Sequence, residues 1–125
     1  SWPADYRTSR EDDFLATVWG SRRCLVIVDE AGEAMGRHNP RMMPLTTRGR
    51  HWGHSVFLIA QRAELINRTV RDQCSRLYMF ALAHADCQTL SKEFNEPRLM
   101  EGTKLPQGHF FKVSRFGEAE YLRLF

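Results

Sequence analysis

The chain has 125 residues, long enough for one domain with a real core, and is 42% hydrophobic and 26% charged. Its formal net charge is +3, yet 15 of the 18 basic residues are arginine, the side chain that meets phosphate or carboxylate through a planar fork. No run approaches the ~20 apolar residues of a membrane span.

The polar start, Ser1-Trp2-Pro3-Ala4-Asp5, has no apolar signal region and no initiating methionine, as expected of a fragment or processed chain that is not secreted. Cys24, Cys74 and Cys87 are odd in number and widely spaced, which argues against a disulfide framework and for a reducing, cytoplasmic setting. Between Arg37 and Arg76, eight arginines face only two acids, Glu64 and Asp72. That stretch is either an electropositive face or the mark of an arginine-rich codon bias.

Ser9 opens the first predicted helix, with Asp12 in capping-box position and Glu11, Asp12 and Asp13 at its positive end. Phe14, Leu15, Val18 and Trp19 form its apolar stripe, and Gly20 ends it. After a Ser21-Arg22-Arg23 turn comes Cys24-Leu25-Val26-Ile27-Val28-Asp29-Glu30-Ala31. The apolar run does not alternate, so it reads as a parallel strand buried on both faces. The acids fall at its C-terminal end, where open α/β sheets hold ligands. In that place Asp29 suits a water-bridged Mg²⁺, and Glu30 suits orientation or deprotonation of an attacking water. The plain alternative is a core strand followed by a polar loop.

Gly32 to Pro44 reads as a long loop, with Met35, Met42 and Met43 as contact surface or gap filler. A short helix over Leu45–Trp52 carries Arg48 and Arg50. Ser55–Arg62 repeats the first strand's shape, apolar and ending in Gln61 and Arg62. A helix is expected over Glu64–Cys74, a third buried strand over Leu77–Leu82, and a helix from an Asp86 cap to Phe94, stopped by Pro97. A β-hairpin closes the chain, with arms 109–114 and 119–125. The pattern is α/β with a mostly parallel sheet and an antiparallel edge. If the first two strands lie side by side, Asp29, Glu30 and Gln61 converge on one crevice: a metal carboxylate, a water carboxylate and an amide that senses phosphate. Gln61 serves equally as a turn residue. His51, Trp52 and His54, set among arginines, suit either contact with nucleic acid or a packed corner.

Three blocks, Leu25–Ala31, Arg48–Ser55 and Phe57–Arg62, resemble the C-terminal half of HerA/FtsK-type P-loop ATPases. The look is most like phage packaging and zonula-occludens-toxin-like assembly ATPases, and it covers about residues 24–82. The resemblance implies a partial RecA-like three-layer fold in a single domain over 1–125. Its parts would be a lead-in and helix (1–23), the Walker B and sensor strands (24–82), and a helix and hairpin (83–125). It further implies ATP and Mg²⁺ as cofactors, Asp29 and Glu30 as the Walker B pair, and Gln61 as the sensor. Arg48 or Arg50 would reach the next subunit's γ-phosphate, and Arg62 and Arg71 would make phosphate or subunit contacts. The implied partners are further copies in a ring (a hexamer), DNA, and phage assembly or portal proteins, in the cytoplasm of a bacterium or phage-infected host.

One departure stands out. The phosphate cradle G-x-x-x-x-G-K-[S/T] is absent, and Gly-Lys occurs nowhere in the chain. Alone, these residues are therefore expected to hydrolyse ATP poorly. Either the cradle precedes Ser1, or the chain is a non-catalytic α/β binding or scaffold module. The family's first strand would be missing from between the Walker B and sensor strands, or from their neighbourhood.

Overall fold

A computed structural model describes residues 4–29, 43–115, 117 and 119–125. In order the elements are α1 (Glu11–Trp19), β1 (Leu25–Val28), α2 (Met43–Arg48), a 3₁₀ turn (Gly49–Trp52) and β2 (Ser55–Leu58). A second 3₁₀ turn (Ala63–Leu65), α3 (Arg68–Gln73), β3 (Arg76–Met79) and α4 (His84–Glu93) follow. The chain ends in a 3₁₀ segment (Pro97–Lys104), β4 (His109–Ser114) and β5 (Ala119–Arg123). No helix among the described residues is long and apolar enough to cross a membrane.

β1 and β2 pair in parallel, from Leu25 opposite Ser55 to Val28 opposite Leu58. The two expected neighbours are thus bonded directly, and no strand is missing from between them. The rest of the sheet departs from the mostly parallel expectation, because β3, β4 and β5 form a separate antiparallel sheet in that order. β3 follows the same strand-then-helix rhythm as β1 and β2. Its main-chain partner is the hairpin that the chain supplies 30 residues later, with Met79 opposite Phe111.

Burial on both faces is also corrected. Val26 and Val28 are buried, whereas Leu25 is 63% and Ile27 36% exposed. Among the described residues the covering elements lie on one side. Phe14, Leu15 and Val18 of α1, Leu45 of α2 and Val70 of α3 pack with Val26, Val28, Val56 and Leu58. On the other side an apolar surface continues through Phe57 (50% exposed), stacked 6.4 Å from Tyr78, to Phe110 and Phe80. A second core, with Met79, Cys87, Leu90, Phe94, Leu99, Phe111 and Val113, joins α4 to the antiparallel sheet.

Local differences have local causes. α1 starts at Glu11 with Arg10 as its cap residue, and Ser9 makes no capping bond. The helix start rests on Phe14 N–H donating to Arg10 O and on the acids of its first turn. The expected helix over Glu64–Cys74 is broken at Ile66 and restarts after Asn67, whose side chain accepts the Thr69 N–H at 2.8 Å. α4 starts two residues before Asp86, so that carboxylate sits in the first turn instead of capping it. The 3₁₀ segment after Pro97 has no counterpart in the sequence reading. It packs through Leu99 and Gly102, the latter with no room for a side chain against Met79 and Cys87.

Candidate functional site

Parallel pairing decides where the chemistry-bearing residues meet. The last rung of the ladder is Ile59 N–H donating to Val28 O at 3.0 Å. Asp29 therefore leaves β1, and Ala60-Gln61 leaves β2, at the same C-terminal edge of the pair. Both Asp29 and Gln61 are exposed there. Glu30 lies outside the described residues, as does most of the loop that follows it. Asp29 and Gln61 both carry side-chain oxygens at this edge, and among the described residues no group of three or more His, Cys, Asp or Glu is gathered to cage a metal.

Below this edge lies a residue that the sequence reading placed in another role. Asp86 is 1% exposed, and its Oδ1 accepts the Ala63 N–H at 3.2 Å while Oδ2 lies 3.9 Å from Arg62 Nε. A carboxylate on α4 thus fixes the backbone two residues beyond Gln61. Its sequence signal, an acid at the start of a helix, is indistinguishable from an ordinary cap. Arg62 itself is exposed, shared between Asp86 and Glu64.

Arg71 does not face this edge openly. Its Nε and Nη2 donate to Glu93 at 3.0 and 2.8 Å, and its Nη1 donates to Ala63 O and Ile66 O. Both side chains of the pair are nearly buried. The arginine is a clamp between the segment after β2, α3 and α4, and so the phosphate contact expected of it has no free fork. Arg115 makes the matching joint on the other side of α3. It donates to Cys74 O, Glu93 O and Arg71 O, with Cζ 4.3 Å from the Phe94 ring. Those carbonyls end α3 and α4, where helices lack internal donors.

Arg48 and Arg50 sit elsewhere. Arg48 ends α2 and is exposed. Gly49, next to it, packs against Val56, with Gly49 O accepting the His54 N–H. This places Arg48 near the N-terminal end of β2. The four residues of β2 span about 13 Å, so within one chain Arg48 and Gln61 are not brought together. Arg50 lies on the 3₁₀ turn of the same connection.

The histidine ambiguity resolves into two roles. His54 is buried, its Nδ1 accepting the Cys24 N–H at 3.0 Å and its Nε2 donating to Val18 O at 2.9 Å. It is a packed corner post, and the neutral tautomer is set by those two bonds. His51 is exposed. Of the thiols, burial pushes Cys74 up, partly offset by Arg115, and burial followed by the Asp86 charge pushes Cys87 up. Neither has the lowered pKa of a reactive cysteine.

No protein-family model matches the sequence, and no curated protein matches it. Solved structures do match in fold. The genome-packaging NTPase B204 of Sulfolobus turreted icosahedral virus 2, in complex with AMP, superposes with a TM-score of 0.76 at 19% identity. That match covers 94% of this chain and 64% of B204. B204 of Sulfolobus turreted icosahedral virus, described as a DNA-packaging ATPase, gives 0.74 at 18% identity over 94% of this chain and 64% of that one. VirB4 of Thermoanaerobacter pseudethanolicus gives 0.68 at 17% identity over 87% and 34%. The chain thus spans under two thirds of the length of these proteins, and what it shares with them is a mixed α/β fold.

Proposed function

We propose that this chain is the Walker B and sensor half of a RecA-like ATPase that packages or translocates DNA. The observation that carries the reading is the direct parallel pairing of β1 and β2, which delivers Asp29 and Gln61 to one edge. Fold likeness to B204, which has been solved with AMPPCP and with ATP-γS, supports a nucleotide there.

In this reading Asp29 orders the hydration shell of Mg²⁺, which when bound supplies charge neutralisation to the phosphates. Glu30 takes the proton of the attacking water. Gln61 reports the γ-phosphate to the segment that follows, which Asp86 anchors. Arg48 or Arg50, at the far end of β2, acts on the nucleotide of a neighbouring copy in a ring, where a planar cation stabilises charge spreading over the transferring group. Arg62 is left as a phosphate or subunit contact. The phosphate cradle comes from sequence outside these 125 residues.

The test uses a longer protein that carries a G-x-x-x-x-G-K-[S/T] segment in frame with this chain. Glu30→Gln is expected to keep nucleotide binding and to lower turnover by roughly 10²–10⁴-fold, the usual contribution of a general base. Turnover that survives the change removes Glu30 from the base role. A protein in which no such segment can be found, and which binds no nucleotide, is instead a scaffold module.

A further inference from the structure

At the opposite end of the parallel pair, two turns meet and leave an open concavity of about 640 Å³, lined by Arg22, Arg23, His51, Trp52 and Gly53. Three of the five are basic and none is acidic. Among the described residues no carboxylate forms an ion pair with any of them.

The corner is built, and it holds an uncommon backbone. Arg23 has φ +56°, a left-handed conformation that costs a non-glycine residue energy and persists only where the surroundings impose it. The imposing contact is the Arg23 N–H donating to Trp52 O at 2.9 Å. Facing it, Gly53 has φ +76°, and a Cβ there would sit 3.2 Å from Arg23 Cγ. His54 braces the corner from below through Cys24 and Val18. Trp52 is held by Trp19 at 4.9 Å, and Arg22 lies with its Cζ 5.4 Å from the Trp52 ring centroid. Only Nη1 of Arg22 makes a described hydrogen bond, to Ser21 O and Trp19 O. These two bonds hold the guanidinium through Nη1 alone.

A planar cation held over an aromatic ring, Arg22 on Trp52, beside an exposed Arg23 and with no ion-paired carboxylate among the described residues, matches phosphate better than any apolar ligand. The concavity is open, unlike the enclosed pockets of small molecules. It is also about 13 Å of strand away from the Asp29–Gln61 edge, so an anion there is held apart from anything bound at that edge.

We propose that the Arg22–Arg23 and His51–Trp52 corner is a phosphate-binding site for an anion of another molecule, either a nucleic-acid backbone or the nucleotide of a neighbouring copy. The assignment rests on the corner alone and not on the ATPase reading. It is tested on the 125-residue chain with two probes, a short fluorescein-labelled DNA duplex followed by anisotropy and sodium tripolyphosphate followed by tryptophan fluorescence. Arg22→Gln and Arg23→Gly are each expected to weaken binding. For the duplex each is expected to reduce the slope of log K against log salt by about 0.9, the release of one phosphate's counterion. Arg23→Gly also relaxes the positive φ, so the melting temperature should hold or rise while affinity falls, which a merely structural role would not produce. Arg68→Gln, at an exposed residue paired with Asp72, serves as the control and should change nothing. Binding of the duplex alone identifies a nucleic-acid source, binding of tripolyphosphate alone a nucleotide source, and binding of both a general phosphate site. The proposal is overturned if neither probe binds at low salt. It is equally overturned if the two corner variants bind as the parent does, or if Arg68→Gln weakens binding as much as they do.

Discussion

Replacing Glu93 by Gln tests whether Arg71 is a clamp or a phosphate ligand. The amide keeps the shape of the carboxylate but removes the charge that faces the arginine fork at 2.8 and 3.0 Å. Arg71 is 13% and Glu93 9% exposed, so water cannot replace the lost partner fully. Breaking a buried pair on one side costs about 3–5 kcal/mol, and we take the lower end, about 3, because Ala63 O and Ile66 O still accept from Nη1. Unfolding a chain of 125 residues carries an entropy near 0.26 kcal/mol/K, so the melting temperature should fall by about 11 °C. Circular dichroism melts read this directly. A double-mutant cycle over Arg71→Ala and Glu93→Ala should give a coupling above about 1.5 kcal/mol. A drop below about 3 °C, roughly 1 kcal/mol on the same scale, would refute the clamp. So would an Arg71→Ala variant that folds normally but loses nucleotide affinity.

Other perturbations probe the second core and the edge of the site. Gly102→Ala places a Cβ 2.5 Å from Met79 Cε and 2.7 Å from Cys87 Sγ, so urea unfolding should show a loss of about 1–3 kcal/mol, partly restored by Met79→Ala. Cys74 and Cys87 have folded pKa values raised above the ordinary 9.0 by burial. The native state then holds protons that the unfolded chain releases, so their contribution is full below about pH 9 and is lost as pH rises through the folded values. Urea midpoints measured from neutral to alkaline pH should fall, and the fall should be shallower in Cys74→Ala and Cys87→Ala, each compared with its own neutral value. Asp86→Ala leaves the buried Ala63 N–H without its acceptor and should cost about 1–3 kcal/mol, read by the same unfolding assay.

Much of the element order was legible because it depends on local signals. The apolar runs at Leu25–Val28 and Ser55–Leu58, the stop at Gly20 and the hairpin around Gly117 each announce themselves within a few residues. The site edge was legible for the same reason: once two apolar runs pair in parallel, their polar ends coincide, and Asp29 and Gln61 follow. Less accessible was anything set by a partner distant in sequence. Asp86 looks like a cap until Ala63 is seen 23 residues away, and Arg71 looks like one more arginine until Glu93 closes around it.

The sequence by itself determined which residues could do chemistry and that a phosphate-holding loop is not among them, since composition and motif need no neighbours. Tertiary structure alone decided how those residues are used. Pairing set β3 against the hairpin instead of the parallel strands, because main-chain groups bond whichever edge the fold presents. It covered one face of β1 and left Leu25 and Ile27 exposed. And it split the arginines, which read alike in the chain, into a nearly buried clamp at Arg71, a helix-end joint at Arg115 and an exposed corner at Arg22 and Arg23, because a guanidinium's role depends on which acceptors the fold brings within about 3 Å of it.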